Sequence, residues 1–156
     1  MKNIYFPDEE ITFNDVFFVC YMIERTARFL KQRNLYVVQK IAKSGLERQL
    51  SIAQSLHCLN PEQVVDEWIS EYNLEPGSFD ITKVDSRFTD KVPTDLQMGK
   101  VYARLVETVA GKTADFATTI MSVYKSPICE FIDNYNSSAY YEPSPVIAKA
   151  FYSGEF

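Results

Sequence analysis

Signals for the start of a helix recur along the chain, and they constrain its fold more than any other feature. Asn60 can accept a backbone hydrogen bond as an N-cap, Pro61 suits the first helical position, and Gln63 can reach back to close a capping box. Similar signals stand at Thr94 with Gln97, at Ser126-Pro127 and at Ser144-Pro145. These signals predict a chain built from successive helices.

Apolar residues recur with helical spacing between these start signals. A wide apolar stripe predicts a central helix, capped by Asn14-Asp15 and running toward Gln32. Gly99 and Ala103 are small residues in the seam of a later helix, where they predict a close helix crossing. The other predicted helices are 34–45 ending at its glycine, 46–59, 61–72, 94–111 ending at its glycine, 113–124, and short ones near 127–136 and 145–153.

Length and composition suit one compact domain, because 156 residues of 46% hydrophobic composition can bury a core. We predict an all-α domain over 1–156, a compact bundle of about six to eight helices. It has a helical block at 16–72 and a helical extension at 94–156 that ends in an aromatic tail. Glu75-Pro76-Gly77-Ser78 interrupts the pattern, so 75–93 is expected to be an irregular connector, with 79–84 either a short strand or extended chain.

Apolar runs and cysteines indicate the compartment. The longest apolar run, from Val16 to Ile23, is far shorter than the ~20 residues that a membrane span requires. The amino terminus also lacks the pattern of a secretory signal, so a cytoplasmic protein is expected. Cys20, Cys58 and Cys129 are widely spaced among apolar neighbours, and we expect reduced thiols in the core.

Charge is distributed unevenly along the chain. The net charge of -5 argues against a dedicated nucleic-acid binder, because phosphate neutralisation needs clustered Lys and Arg. The segment 25–48 is basic, whereas 49–82 has no Lys or Arg and carries Glu62, Asp66, Glu67, Glu71, Glu75 and Asp80. We expect the basic segment to fold against the acidic helix. Two alternatives stay open: the acidic face docks on a basic partner surface that normally holds nucleic acid, or 25–48 binds nucleic acid itself, with Phe29 and Tyr36 stacking.

No motif in the sequence indicates catalysis, a cofactor or a metal. His57 stands beside Cys58, but adjacent helical residues point roughly 100° apart, so the two cannot pair directly as base and nucleophile. We expect His57 to be a structural residue that is satisfied by a hydrogen bond. The chain also lacks a phosphate-binding glycine loop and a calcium loop. The expected protein is therefore not an enzyme, although a small enzyme that uses surface carboxylates is an alternative.

The aromatic tail, 124–156, is the first candidate for a contact surface. Phe131, Tyr135 and Phe151 have helical spacing, which is typical of core packing. Tyr140 and Tyr141 are consecutive in a polar turn, so at least one ring should be exposed. The predicted partner-binding residues are Asn136, Tyr140 and Tyr141 in this turn, with Glu67 and Glu71 on the acidic helix as a rival contact.

Four short elements within 16–69 carry a family resemblance. They are a first helix with Ile23-Glu24, the Ser44-Gly45-Leu46 junction, the Leu56-His57 pair, and the closing helix Val64-Val65-Asp66-Glu67-Trp68-Ile69. This block resembles a family of short, uncharacterised helical proteins of Gram-positive bacteria that are often encoded beside an ADP-ribosyltransferase-like domain. The resemblance covers about a third of the chain and implies an accessory or antitoxin-like partner for an enzyme, with no catalytic residues to carry over. The connector, the helix from Thr94 and the tail depart from the short family.

These observations predict a small acidic binding protein that restrains or regulates a macromolecular partner. Two concrete versions are an antitoxin-like protein and an inhibitor of a phage-defence nuclease, such as an anti-CRISPR. The partner is expected to be a protein, in the second version one with a basic nucleic-acid-binding surface. The sequence does not indicate the oligomeric state.

Overall fold

The computed structural model describes residues 1–156 and contains seven α-helices and no strand. The helices are α1 (Phe13–Leu30), α2 (Asn34–Leu56), α3 (Pro61–Tyr72), α4 (Asp95–Ala110), α5 (Phe116–Lys125), α6 (Ile128–Ile132) and α7 (Ser144–Ser153), with 3-10 turns at Gly111–Thr113 and Ala139–Tyr141. The prediction of an all-α bundle of six to eight helices is confirmed. The segment 79–84 is neither a strand nor extended chain, since it contains a turn in which the Lys83 N–H donates to the Asp80 carbonyl.

Two predicted capping boxes start helices as the sequence indicates. At α3, the Gln63 backbone N–H donates to Asn60 Oδ1 at 2.9 Å, and the Asn60 N–H donates to Gln63 Oε1 at 3.1 Å. At α4, Thr94 and Gln97 make the same pair of bonds at 3.0 and 2.7 Å. In each box, two backbone N–H groups at the start of the helix donate to side-chain oxygens and so gain the partners that the helix itself does not provide. Both helix starts are therefore fixed by residues next to each other in sequence.

Several helix boundaries differ from the prediction. The N-caps of α6 and α7 are Pro127 and Pro143 rather than Ser126 and Ser144. The N-cap of α1 is Thr12, which forms a capping box with Asp15, so the helix starts before Asn14. α5 is capped by Asp115 rather than Thr113, because the Thr113 hydroxyl donates to the Ala110 carbonyl and closes a 3-10 turn. α6 is shorter than predicted and ends at Ile132.

Gly45 does not end a helix, contrary to the prediction. The interruption lies at Ala42, where φ is 62° and ψ is 175°, and α2 continues past the glycine to Leu56. A Cβ atom on Gly45 would lie 2.7 Å from Ile41 Cγ2 and 3.0 Å from the Tyr72 ring. The glycine is therefore required by close packing against α3, and not by a helix stop.

α1 is the central helix and contacts α2, α3 and α4. A Cβ atom on Gly99 of α4 would lie 2.6 Å from Tyr21 Cα on α1, closer than real Cβ contacts. The predicted close crossing is therefore confirmed as a contact between these two helices. Buried apolar side chains from all seven helices, with Ile11, Leu74, Ile81 and Tyr135 from the connecting segments, form one cluster of 39 residues. None of the helices combines the length and apolar character that crossing a membrane requires.

The basic first third folds against the acidic helix, as expected. Arg25 of α1 pairs with Glu62 at 2.5 Å, and Arg48 of α2 pairs with Glu71 at 3.1 Å. These ion pairs offset part of the repulsion between acidic neighbours on α3. Glu67 is exposed and has no ion pair.

Two expectations for core residues are wrong at the end of α2. Cys20 and Cys129 are buried thiols, but Cys58 is exposed because it lies in the turn that follows the helix. His57 is also exposed and makes no side-chain hydrogen bond. Its ring instead packs on Phe18, with 4.2 Å between the ring centroids.

Candidate partner-binding groove and the polar cluster beneath it

A groove of about 1090 Å³ lies between the irregular connector and the aromatic tail. We call it the aromatic groove. It is lined by Phe88, Thr89, Lys91, Val92 and Pro93 of the connector, Gln97 and Val101 of α4, and Tyr135, Asn136, Ser137, Ser138, Tyr140 and Tyr141 of the tail. Three of the five predicted partner-binding residues therefore lie in one concave site.

Exposed rings stand on both sides of this groove. Tyr141 is 81% exposed, and Phe88 on the connector is 68% exposed. Tyr140 is half-buried, since its ring packs edge-on against Tyr135 at 5.5 Å and against Tyr141 at 6.0 Å. The expectation that at least one of the two consecutive tyrosines is exposed is confirmed for Tyr141. The Tyr140 ring packs beneath the Tyr141 ring.

Asn136 joins the tail to the connector. Its side-chain oxygen accepts a hydrogen bond from the Asp85 backbone N–H at 2.6 Å, although Asn136 as a whole is exposed to solvent. The Asp85 carboxylate in turn binds Arg87 at 2.6 Å. Asn136 thus fixes the distance between the two sides of the groove in addition to lining it.

The other two predicted contact residues lie elsewhere. Glu67 and Glu71 are exposed on α3 and do not line the aromatic groove. Glu71 is paired with Arg48, so Glu67 is the acid of this pair that stays free. Partner binding by any of the five residues stays a prediction.

The tail aromatics divide between core and surface. Tyr135 is buried as its spacing predicts, at 2% exposure. Phe131 was expected in the core, and this prediction is wrong. Its ring is 48% exposed and packs edge-on against Phe156, with 6.1 Å between the ring centroids. α6 has only five residues, so it has a single buried side, and Phe131 lies opposite that side. Phe151 is half-buried.

The aromatic groove carries little charge. Lys91 is the only cationic residue of its lining, and no carboxylate lines it. Its exposed apolar side chains are Phe88, Val92 and Tyr141, and they lie among the polar residues Thr89, Gln97, Asn136, Ser137 and Ser138. Such a lining can bury apolar groups of a partner, whereas it offers few groups for binding phosphates.

A second cavity, of about 790 Å³, lies at the start of α1 beside the end of α2. Its lining includes Phe17, Phe18, Tyr21 and His57, with the Asp15 carboxylate buried at its edge. That carboxylate is already occupied by the Thr12 capping box. The polar side chains of its lining that make no hydrogen bond are Asn14, Gln54 and His57.

A buried polar cluster lies beneath the aromatic groove and was not predicted. It consists of Glu24 and Arg28 of α1, Asn34 of α2, Tyr102 of α4, Cys129 of α6, and Asp133 and Tyr135 of the tail. Two carboxylates, Glu24 and Asp133, are both in the interior. Burial of two acids together is costly, so each oxygen should have a partner.

Glu24 has three donors. Arg28 Nε donates to Oε1 at 3.1 Å, Asn34 Nδ2 donates to Oε2 at 2.7 Å, and the Tyr135 hydroxyl donates to Oε1. Arg28 supplies a positive charge, so the fully buried Glu24 carboxylate is paired as well as hydrogen-bonded.

Asp133 has only neutral donors. The Tyr102 hydroxyl donates to Oδ1 at 2.6 Å, Cys129 Sγ donates to Oδ2 at 3.2 Å, and Asn34 Nδ2 lies 3.3 Å from both oxygens. Burial, and then the negative charge of Glu24, raise the pKa of Asp133 to about 7 against these hydrogen bonds. Asp133 is therefore expected to hold a proton below neutral pH.

The thiol and the two tyrosine hydroxyls of the cluster are neutral. Burial raises the pKa of the Cys129 thiol, and the charge of Asp133 raises it further. Burial also raises the pKa of the Tyr102 and Tyr135 hydroxyls, followed by the nearby carboxylates. Cys129 is consequently a thiol that donates a hydrogen bond, and it lacks the thiolate character of a nucleophile.

The sequence contained one signal for this cluster. Glu24 lies four residues after Cys20 and three before Ala27, within the apolar stripe of α1. A charged residue at a core position implies a buried partner. The other members come from α2, α4, α6 and the tail as well as from α1, however, so the sequence does not identify them.

No family model, curated protein or solved structure matches this chain. No group of three or more His, Cys, Asp or Glu side chains is placed to hold a metal ion. Fold and site together describe an all-α protein with an aromatic groove above a buried polar cluster.

Proposed function

We propose that the protein binds a protein partner through the aromatic groove and thereby restrains that partner. The supporting observation is the exposure of aromatic rings on both sides of the groove, 81% for Tyr141 and 68% for Phe88. Exposed apolar patches with aromatic anchors are typical of protein interaction sites, because a rigid ring buries much area at little entropic cost.

A protein is favoured over a nucleic acid as the occupant because of charge. Proteins that bind single strands combine stacking rings with a positively charged channel. The aromatic groove has one cation, Lys91, and the chain has a net charge of -5. We therefore propose that the partner inserts apolar side chains between Phe88 and Tyr141.

The enzyme alternative has less support. The two acids that come together, Glu24 and Asp133, are buried and bonded to protein groups. A general acid or base must reach a bound substrate within hydrogen-bond distance. Glu24 is fully buried and has no such access.

Two versions of restraint follow from the proposal, an antitoxin-like partner of a toxin and an inhibitor of a phage-defence nuclease. The first expects a cognate enzyme gene next to this one. The second expects prophage genes nearby and competition between this protein and nucleic acid for the nuclease. In the second version the free carboxylate of Glu67 adds an acidic contact for a basic nuclease surface.

Tyr141→Ala is expected to weaken partner capture at least tenfold, equivalent to about 1.4 kcal/mol, while leaving the melting temperature nearly unchanged. The ring is 81% exposed, so its loss removes little packing within the chain. The matched control is Tyr152→Ala, since that ring is 68% exposed on α7 and does not line the groove. Capture from the native host by both variants and the intact chain is measured beside their thermal unfolding.

Unchanged capture by Tyr141→Ala, or a large fall in its melting temperature, would contradict the proposal. Equal loss in both variants would place the contact outside the groove. Loss of capture in Glu67→Gln alone would assign the contact to α3 instead. Capture through the groove should also survive about 1 M salt, at which the Debye length is about 3 Å and ionic contacts are screened.

A further inference from the structure

Both sides of the aromatic groove are bonded to the buried polar cluster. Arg28 Nη2 donates to the Pro93 carbonyl of the connector at 2.8 Å and lies 3.2 Å from the Tyr135 hydroxyl of the tail. The same guanidinium is paired with Glu24. The Tyr140 ring packs on Tyr135. Both walls of the groove are therefore in direct contact with the cluster.

The cluster contains two carboxylates and one counter-charge. Asn34 Nδ2 bridges Glu24 and Asp133, so the two acids are separated by a single amide nitrogen. Arg28 pairs with Glu24, whereas Asp133 has no cation in contact. Ionisation of both acids would leave one uncompensated negative charge in the interior, which the protein resists by keeping a proton on the pair.

Asp133 is the group whose charge changes near neutral pH. Burial and the charge of Glu24 raise its pKa to about 7. The hydroxyls and thiol that surround it stay protonated, because burial raises the pKa of Tyr102, Tyr124, Tyr135 and Cys129. On its outer side Asp133 borders two clefts whose charged residues are Arg33, Asp80, Lys83, Lys125 and Glu130.

We propose that Glu24 and Asp133, bridged by Asn34, form a proton-controlled clamp on the aromatic groove. With Asp133 neutral, the tail is held against α1 and the groove has the form described. When Asp133 loses its proton, repulsion from Glu24 displaces the segment 133–141 and changes the wall that carries Tyr140 and Tyr141. The consequence for partner binding rests on the proposed function, but the clamp itself can be tested in the free protein.

The test is an NMR titration of the free protein between about pH 5 and about pH 9, a range that brackets the ionisation of Asp133. Its side-chain carboxyl signal reports ionisation, and the backbone amides of Phe88, Tyr140 and Tyr141 report the groove. We expect all four signals to titrate with one midpoint near pH 7. Asp133→Asn should remove the groove transition, and the control Glu130→Gln, an exposed acid on α6, should retain it.

Tyr102→Phe keeps the test decisive if Asp133→Asn does not fold. The Tyr102 hydroxyl lowers the pKa of Asp133 by donating to its carboxylate, so removing it should move the midpoint to higher pH. The clamp is overturned if Asp133 titrates while the groove amides do not, or if Asp133 does not titrate in this range.

The clamp and the proposed function can fail separately. Partner affinity should differ about tenfold between pH 6 and pH 8 in the intact chain, because ionisation of Asp133 is coupled to partner binding. In Asp133→Asn the affinity should be the same at both pH values. Groove amides that titrate while Tyr141→Ala binds normally would support the clamp and contradict the proposed function. If capture depends on Tyr141 but the groove amides do not titrate, the proposed function is supported and the clamp is contradicted.

Discussion

Trp68→Ala is expected to lower the free energy of unfolding by about 3–5 kcal/mol, the largest effect of any single change considered for this chain. The Trp68 side chain is 1% exposed and anchors α3 to the core. Its Nε1 donates to Gln49 Oε1 at 3.0 Å, and Gln49 Nε2 donates to the Tyr72 hydroxyl at 2.7 Å. The substitution thus removes a large apolar side chain and also leaves a buried amide oxygen unpaired.

Urea unfolding followed by circular dichroism measures this loss. Trp68→Phe separates the two contributions, since it keeps a ring but leaves Gln49 Oε1 unpaired, at a cost of about 1–3 kcal/mol. Glu67→Ala is the control on the exposed side of α3 and should change stability by less than about 0.5 kcal/mol. A loss below about 1 kcal/mol for Trp68→Ala would show that α3 does not pack as described.

Asp133→Asn is expected to remove most of the dependence of stability on pH between about pH 4 and pH 7. The pKa of Asp133 is raised from its ordinary 3.8 to about 7 in the folded chain. Between these values the folded state binds a proton that the unfolded state lacks. The free energy of unfolding of the intact chain should therefore fall as pH rises through this window, by up to about 1.4 kcal/mol per unit.

Denaturant midpoints at pH 5 and pH 8 test this expectation in the intact chain, Asp133→Asn and the control Glu130→Gln. Asp115 contributes in the opposite direction, because its pKa is lowered by the Thr118 backbone N–H at the start of α5, and that stability is lost only as pH falls below its ordinary 3.8. The two effects occupy different pH ranges. A full wild-type slope in Asp133→Asn would contradict the assignment of the proton to Asp133.

The helices could be predicted from the sequence where their causes are local. The boxes at Asn60 and Thr94 depend on residues three positions apart, and both formed as expected. Of the positions that differed, Gly45 depends on a distant contact, because Tyr72 approaches it. Local pattern cannot contain that reason. The starts of α1 and α5 have local causes, the Thr12–Asp15 box and the turn that bonds Thr113 to Ala110, which the sequence prediction missed.

The groove could be predicted in part. Tyr141 stood out because two consecutive rings in a polar turn cannot both be buried easily, and its exposure followed. The opposite wall, with Phe88 and Val92, lies in a connector that has no periodicity, so nothing in the sequence placed it beside the tail. The buried polar cluster was missed because Glu24 and Asp133 meet only through the tertiary fold.

The central claim is that a protein partner contacts the aromatic groove, and site-specific photo-crosslinking tests it most directly. A photo-reactive phenylalanine analogue replaces Tyr141 in one chain and Tyr152 in another, both exposed positions. After irradiation in the native host, we expect one protein adduct from position 141 and none from position 152. Equal adducts from both positions, an adduct with nucleic acid, or no adduct from position 141 would contradict the claim.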